Sequence, residues 1–198
     1  ISSGDGAAQI TNTGTISGGY QGLVIFGDTV QANVTNNSSD PLLFPPGVIT
    51  ADSGAAVLLS ANTLWQGDIT NDGTMSGRFG MAVNAFSDGF LFSSGGDYEG
   101  TITNNGVIEG DVAGLVVFGN DVTGNLNNSG LLEGGSTGLL VSASTWTGNI
   151  TNASTGTIHG GSTGAYINVG TFTGDIVNDG IIHGDDLDTG LHIVATTY

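Results

Sequence analysis

The sequence has no cysteine and only one basic residue, Arg78, among 198 residues. The lack of cysteine excludes a disulfide scaffold, a thiolate zinc site and a cysteine nucleophile. With a formal net charge of −17, the chain cannot neutralise phosphates, which argues against nucleic-acid binding and disfavours anionic membrane surfaces. No run approaches the roughly 18 apolar residues of a membrane-spanning helix, so we expect no direct membrane insertion of this segment.

What the chain has instead is 36 glycines and 38% hydrophobic residues, with only 10% charged residues. Low charge with this hydrophobic content argues against disorder, although the composition is unlike that of a typical globular domain. The first residues lack the basic and apolar regions of a signal peptide. We therefore expect a mature or excised segment.

A short phrase recurs through the chain, and its cleanest spacing is 24 residues. It reads ITNDGTMSG at Ile69 and ITNNGVIEG at Ile102, and a polar, Pro-rich insertion interrupts the copy at Val34. The copies begin at Ile10, Val34, Ile69, Ile102, Leu126, Ile150 and Ile176. A fixed period in this range is typical of repeat architectures, so we interpret residues 1–198 as a single repeat domain.

Aligned copies place apolar residues in columns, such as the bulky Trp65 and Tyr98 four residues before the phrase. Within each short run the apolar residues alternate with polar ones, which indicates strands. Gly, Asn and Asp separate three such runs per repeat and supply the turns. The sequence therefore predicts an all-β parallel β-helix of about seven coils, each with three short strands.

An asparagine stands two residues after the start of every copy. These residues are Asn12, Asn36, Asn71, Asn104, Asn128, Asn152 and Asn178. Stacked in a coil, their amides can hydrogen-bond along the axis as a ladder. Glycosylation is the alternative, because Asn33, Asn37, Asn149 and Asn152 fit the acceptor motif. We favour the ladder, since most of these matches arise from the repeat itself.

Two insertions break the period, at residues 38–46 and 84–97. Insertions in repeat proteins form surface loops that often bind partners. The binding candidates are their large apolar residues, Leu43, Phe44, Phe86, Phe90 and Phe92. The favoured interpretation is that the insertions cover a sheet face, and the alternative is an exposed contact patch.

Another column carries titratable side chains in the last four copies, namely Glu109, Glu133, His159 and His183. Side chains about 4.8 Å apart on one outer face could bind a metal or respond to pH. The alternative, which we favour, is a polar exterior whose Glu and His residues attract one another. We therefore assign no metal and no other cofactor, and these four residues are the only weak metal candidates.

Enzyme chemistry has little support in the sequence. A polysaccharide lyase would need a base and several cations, and Arg78 alone cannot supply them. A hydrolase needs paired carboxylates, for which the last copy offers Asp175, Asp179, Asp185, Asp186 and Asp188. The Gly-Asp-Asp at Gly184 is similar to part of the polygalacturonase signature, but that family's basic motif is absent. We expect no enzymatic activity; ice or crystal binding by Thr rows ranks last.

The phrase ITNxGxIxG, followed by Gly-Leu-x-Val and an aromatic-x-Gly-[Asn/Asp] step, resembles repeats in the passenger domains of Gram-negative autotransporters. The resemblance extends from Ile10 to about Ala195. It implies a right-handed parallel β-helix, exported through the outer membrane to the cell surface, that acts as an adhesin or structural stalk. Its partners would be host or neighbouring-cell surface molecules, or further copies of itself. A secreted β-helical polysaccharide hydrolase is the alternative, and it predicts lost activity on replacing Asp185 or Asp186.

Overall fold

The computed structural model describes residues 7–37, 46–84, 96–185 and 188–198. Within these ranges the chain is all-β, and no helix is present that could cross a bilayer. The strands, numbered β1 to β19 in chain order, are Ala8–Asn12, Thr15–Gly18, Leu23–Asn36, Val48–Ala51, Ala55–Gln66, Ile69–Asn71, Thr74–Val83, Asp97–Glu99, Ile102–Asn104, Val107–Thr123, Leu126–Asn128, Leu131–Gly134, Thr137–Thr147, Ile150–Asn152, Thr157–Gly160, Thr163–Thr173, Ile176–Asn178, Ile181–Gly184 and Thr189–Thr197.

The strands stack as parallel ladders, each strand pairing with its counterpart one repeat away. The short strand β11, for example, pairs with β14 so that Leu126 lies opposite Ile150 and Asn128 opposite Asn152. The four-residue strands β12 and β15 pair in the same way, as do the long strands β13 and β16. Many stacked parallel strands joined in one sheet are consistent with a β-solenoid, which confirms the all-β repeat fold.

The third strand of each repeat is longer than the sequence predicted. Strand β13 has 11 residues, whereas β12 has 4. Strand β10 continues through Gly119 and Asn120, and Gly119 lies opposite Ala143 of β13.

Between the ladders lies a buried apolar core built from the predicted columns. In the bulky column, the first member, Val30, is partly buried, and the other members, Trp65, Tyr98, Val122, Trp146 and Phe172, are at most 2% exposed. The other columns add residues such as Ile69, Met75 and Leu115, all completely buried. Each fully buried side chain of this kind stabilises the fold by about 1.5–3 kcal/mol. The repeat period thus becomes a continuous core along the stacking direction.

The predicted asparagine ladder is present. Each amide Nδ2 donates to the Oδ1 of the asparagine in the next repeat, at 2.8 Å in every step from Asn12 to Asn178. The Nδ2 of Asn36 also donates to the carbonyl oxygens of Gly47 and Thr74, at 3.0 and 3.2 Å. Because Asn152 is only 1% exposed, its side chain is inaccessible to glycosylation. The ladder satisfies polar groups that would otherwise be buried without partners.

A second apolar cluster lies on the opposite face of the long strands. In β10, Leu115 and Val117 face the core, so the alternating residues Val116 and Phe118 face outward; the exposed fractions of these outward residues are nevertheless 1% and 6%. The cluster consists of Ala55, Leu58, Ala82, Ala113, Val116 and Phe118. The alternation of apolar residues did not predict that this outer face would be buried.

Candidate functional site

The four titratable residues of the predicted column occupy consecutive ladder positions. Glu109 on β10 pairs with Glu133 on β12, Glu133 with His159 on β15, and His159 with His183 on β18. They alternate with the buried residues of the same strands and therefore face outward. The alignment and the structure agree on this column.

His159 is held between two carboxylates from different repeats. Its Nε2 lies 2.9 Å from Oδ1 of Asp185, and its Nδ1 lies 3.4 Å from Oε1 of Glu133. The His159 side chain is 23% exposed, whereas those of Glu133 and Asp185 are 41% and 65% exposed. A histidine donates from both ring nitrogens only when it is protonated, so this geometry fits the imidazolium form.

The pKa of His159 is raised above its ordinary value. The largest cause is the hydrogen bond to Asp185, with a smaller contribution from Glu133, while partial burial opposes both. The ring of His183 stacks on that of His159, with centroids 4.3 Å apart and planes 16° from parallel. His159 on β15 thus connects three successive repeats through its contacts with Glu133 on β12 and with Asp185, which follows β18.

The groove beside His159 is a shallow depression of about 310 Å³. Carboxylates of Glu109, Asp111, Glu133 and Asp185 line it together with His159. The sequence analysis did not connect Asp111 or Asp185 with this column. A signal was present, because Asp111 and Asp185 each stand two residues after a member of the column, where the intervening repeats have Gly135 and Gly161. A glycine there leaves room for a neighbouring carboxylate.

The groove does not have the geometry of a metal centre. Within residues 7–37, 46–84, 96–185 and 188–198, no group of three or more His, Asp or Glu side chains is arranged to hold a metal ion. Both nitrogens of His159 face carboxylates, whereas a metal ligand needs one nitrogen free and unprotonated. The arrangement instead favours ion pairs of His159 with Glu133 and Asp185 that connect neighbouring repeats.

The hydrolase hypothesis named Asp185 and Asp186 as the decisive carboxylates. The structure places Asp185 against His159, whereas Asp186 lies outside the described residues. A glycosidase needs two carboxyl groups held across one bond of the substrate. The Asp185 carboxylate contacts the imidazole of His159, and this contact supports an electrostatic role for Asp185.

The binding candidates in the insertions, Leu43, Phe44, Phe86, Phe90 and Phe92, lie outside the described residues. The structure does describe Asn84, where the second insertion begins. Asn84 is completely buried and has a φ of 53°, a conformation that asparagine tolerates better than most residues. Its Oδ1 accepts from the Ala61 amide at 3.0 Å, and its Nδ2 donates to the Gly96 carbonyl at 2.9 Å. The two ends of this insertion are therefore fixed to neighbouring strands.

An exposed aromatic residue lies elsewhere on the outer surface. Phe26 on β3 is 81% exposed, and Val24 beside it is 39% exposed. They occupy the same outer columns as the buried Leu58 and Ser60 of β5. The column alignment did not assign Val24 or Phe26 to any position, so this patch was not predicted from the sequence.

Comparison with known proteins gives no match: no family model, no curated protein and no solved structure resembles the chain at a significant level. The function must therefore be argued from the repeat and from the geometry of the outer surface.

Proposed function

We propose that this chain is a segment of an extracellular, surface-displayed passenger of the autotransporter type that serves as an adhesin or a structural stalk. The supporting observation is the axial stack, in which equivalent strands pair in parallel through successive repeats. Such a stack is stiff along its axis and presents columns of side chains at a regular spacing. These are the properties that a stalk or an extended contact surface requires.

In this proposal the finer architecture is a right-handed β-helix of about seven coils. At about 4.8 Å per coil, the segment spans roughly 33 Å. The passenger resemblance supports the handedness, and the seven copies of the phrase support the number of coils.

The acidic charge of the chain supports the binding of molecules on the surfaces of other cells. The chain has 18 acidic residues against one arginine, and the guanidinium of Arg78 lies 5.7 Å from the Phe79 ring centroid. A strongly acidic surface favours basic or neutral partners and repels anionic ones. We therefore propose proteins or glycans of host or neighbouring cells as partners, or further copies of the chain.

The decisive experiment is an adhesion assay with the purified chain on fluorescent beads. Beads carrying the chain should bind cells, extracellular matrix or one another above the level of albumin-coated beads. A matched variant, Phe26→Ser, removes the most exposed aromatic side chain of the described surface and should leave the circular dichroism spectrum unchanged. Lower binding by this variant would map the contact to the β3 surface.

If the beads bind neither cells nor matrix nor one another, the adhesin hypothesis is rejected and the stalk hypothesis remains. Hydrolysis of acidic polysaccharides by the same preparation, lost on Asp185→Asn, would reject both and restore the enzyme hypothesis. Full activity in Asp185→Asn would instead indicate a contaminating enzyme.

A further inference from the structure

A column of polar side chains on the outside of the stack contacts the backbone of the next repeat. It occupies the position directly before each copy of the phrase, and its members are Gln9, Asn33, Asp68, Thr101, Asn125, Asn149 and Asp175. Asn125 Oδ1 accepts from the Asn149 N–H at 2.8 Å, and Asn149 Oδ1 accepts from the Asp175 N–H at 2.9 Å. Asp68 accepts from the Thr101 N–H at 2.7 Å with a carboxylate oxygen. The fold therefore uses the side-chain oxygen at this position and does not require a nitrogen.

The Nδ2 of Asn149 is consequently available for other chemistry. The Asn149 side chain is exposed, and within the part of the chain that the structure describes its hydrogen bonds involve only its backbone N–H and its Oδ1. Asn152 in the same repeat is the opposite case, because it is 1% exposed. Its Nδ2 donates to Asn178 Oδ1 and to the carbonyls of Gly156 and Ile181, at 2.8, 3.2 and 3.1 Å. One repeat thus holds one occupied amide and one available amide.

Asn149 also begins a recognisable acceptor motif. The sequence Asn149-Ile150-Thr151 fits the Asn-x-Ser/Thr pattern for attachment of a sugar to the asparagine nitrogen. Ile150 is 3% exposed, and Thr151 alternates with it in β14. Thr151 therefore faces outward, as the Asn149 side chain does. The two side chains that the motif requires are both on the outer surface.

Exposure separates Asn149 from the other asparagines that fit the motif. The other matches begin at Asn33, Asn36, Asn37, Asn127 and Asn152. Asn36 and Asn152 belong to the buried ladder, at 0% and 1% exposed. Asn33 and Asn127 are half-buried, and the motif at Asn37 continues outside the described residues. Among the motifs that the described ranges contain in full, only the one at Asn149 has an exposed asparagine.

We propose that Asn149 is the acceptor of an N-linked sugar on the folded stack. The donor is a neutral hexose whose anomeric carbon is bonded to a nucleoside diphosphate, and a separate transferase catalyses the reaction. The Nδ2 of Asn149 forms a bond to the anomeric carbon, and the bond from that carbon to the diphosphate oxygen breaks. The diphosphate leaves with the electron pair, and a base of the transferase takes the proton from Nδ2. This modification is separate from the adhesin or stalk function and does not depend on it.

The product keeps the contact that the fold uses. An N-linked amide retains its carbonyl oxygen, so Asn149 Oδ1 continues to accept from the Asp175 N–H. Because the sugar is attached to an exposed side chain, it displaces no packed residue. A neutral sugar also suits the charge of the surface, since the next member of the column is the carboxylate of Asp175 and an anionic sugar would be repelled.

The test is glycosylation of the folded full chain in vitro, with UDP-glucose as the donor and a soluble asparagine glycosyltransferase. The transferase is selected for its ability to modify a synthetic peptide of residues 145–153, which contains only the motif at Asn149. The intact mass should show one added hexose per chain, and peptide mapping should place it on Asn149. The unfolding midpoint measured by circular dichroism should not change.

Two variants remove the acceptor and preserve the fold. Asn149→Asp reproduces the carboxylate of Asp68, so it keeps the acceptor oxygen and removes Nδ2. Thr151→Val removes the hydroxyl and reproduces Val177, which lies opposite Thr151 in the next repeat. Both variants should take up no hexose and should unfold at the wild-type midpoint. The matched control Asn33→Asp changes the same column in another repeat, and it should take up one hexose as the wild type does.

Three outcomes would overturn the proposal. A folded chain that stays unmodified while the peptide is modified would show that the stack blocks access to Asn149. Hexose found on Asn33 or Asn127 alone would place the acceptor in another repeat. Full uptake by Thr151→Val would show that the transfer does not depend on the motif. The bead assay on cells is independent of all three, so failure of this inference does not remove the proposed adhesin.

Discussion

The asparagine ladder makes a quantitative prediction for Asn104, which lies near the middle of the stack. Its side chain is 1% exposed and takes part in three hydrogen bonds. It accepts from Asn71 at 2.8 Å and donates to Asn128 Oδ1 at 2.8 Å and to the Leu131 carbonyl at 3.0 Å. The substitution Asn104→Ala removes all three bonds and leaves two buried partners, Asn71 and Asn128, and one partly buried carbonyl, that of Leu131.

The expected loss follows from what those partners retain. The Nδ2 of Asn71 still donates to the carbonyls of Gly73 and Val107 at 3.2 and 3.1 Å, so its share of the loss is small. The Oδ1 of Asn128 loses its ladder donor. A net hydrogen bond contributes about 1 kcal/mol, and an unsatisfied buried group costs about 1–3 kcal/mol. We therefore expect Asn104→Ala to lower the free energy of unfolding by about 2–4 kcal/mol.

The matched control is Asn178→Ala at the exposed end of the same ladder. It breaks the bond from Asn152, but water can replace the lost acceptor, so the expected loss is below about 1 kcal/mol. Both variants are measured by urea unfolding followed by circular dichroism, and the midpoints are compared at equal slope. If the two losses agree within about 0.5 kcal/mol, the ladder does not stabilise the stack and the reasoning is wrong.

Three further predictions concern His159, a turn glycine and the core. His159→Ala should lower the unfolding midpoint relative to the wild type below pH about 6.5, the ordinary pKa of histidine. The difference should vanish as pH rises through the raised folded-state pKa, because that stability depends on the imidazolium bound to Asp185; an equal difference at acidic and alkaline pH would contradict this. Gly100→Ala should destabilise by more than about 2 kcal/mol, since φ is +156° and the new Cβ would lie 2.1 Å from a carbonyl oxygen of the preceding repeat. Its control, Gly14→Ala, meets nothing within 4 Å and should change stability by less than about 0.5 kcal/mol. Trp146→Ala, at a side chain 1% exposed, should cost about 3–5 kcal/mol by thermal or urea unfolding, and a loss below about 1 kcal/mol would show that the core column is loosely packed.

The sequence was sufficient to predict the strands, the core columns and the asparagine ladder. In a stack of repeats, residues that share a column in the alignment also share a column in space. The register Glu109, Glu133, His159 and His183 follows from this rule alone. The length of strands such as β13 did not follow from this rule, because pairing between neighbouring repeats holds the backbone extended beyond the apolar pair.

The candidate site was only partly predictable. The alignment placed His159 in its column, but the carboxylate at its Nε2 comes from Asp185, in the segment after β18. The path of that segment depends on how the chain leaves the strand. The buried position of Asn84 was also not predicted, because its hydrogen bonds to Ala61 and Gly96 arise only when the insertion begins between stacked strands.

The sequence by itself determined the repeating parallel stack. When alternating apolar residues recur at a fixed period, stacking the repeats buries them together in one continuous core. The tertiary structure decided what the outer surface does. It paired His159 with Glu133 and Asp185, buried Val116 and Phe118 on the outward face of β10, and left Phe26 exposed. Inward contacts follow from periodicity because every repeat supplies the same residue. Outward contacts depend on side chains from different repeats meeting in three dimensions, and the period does not encode them.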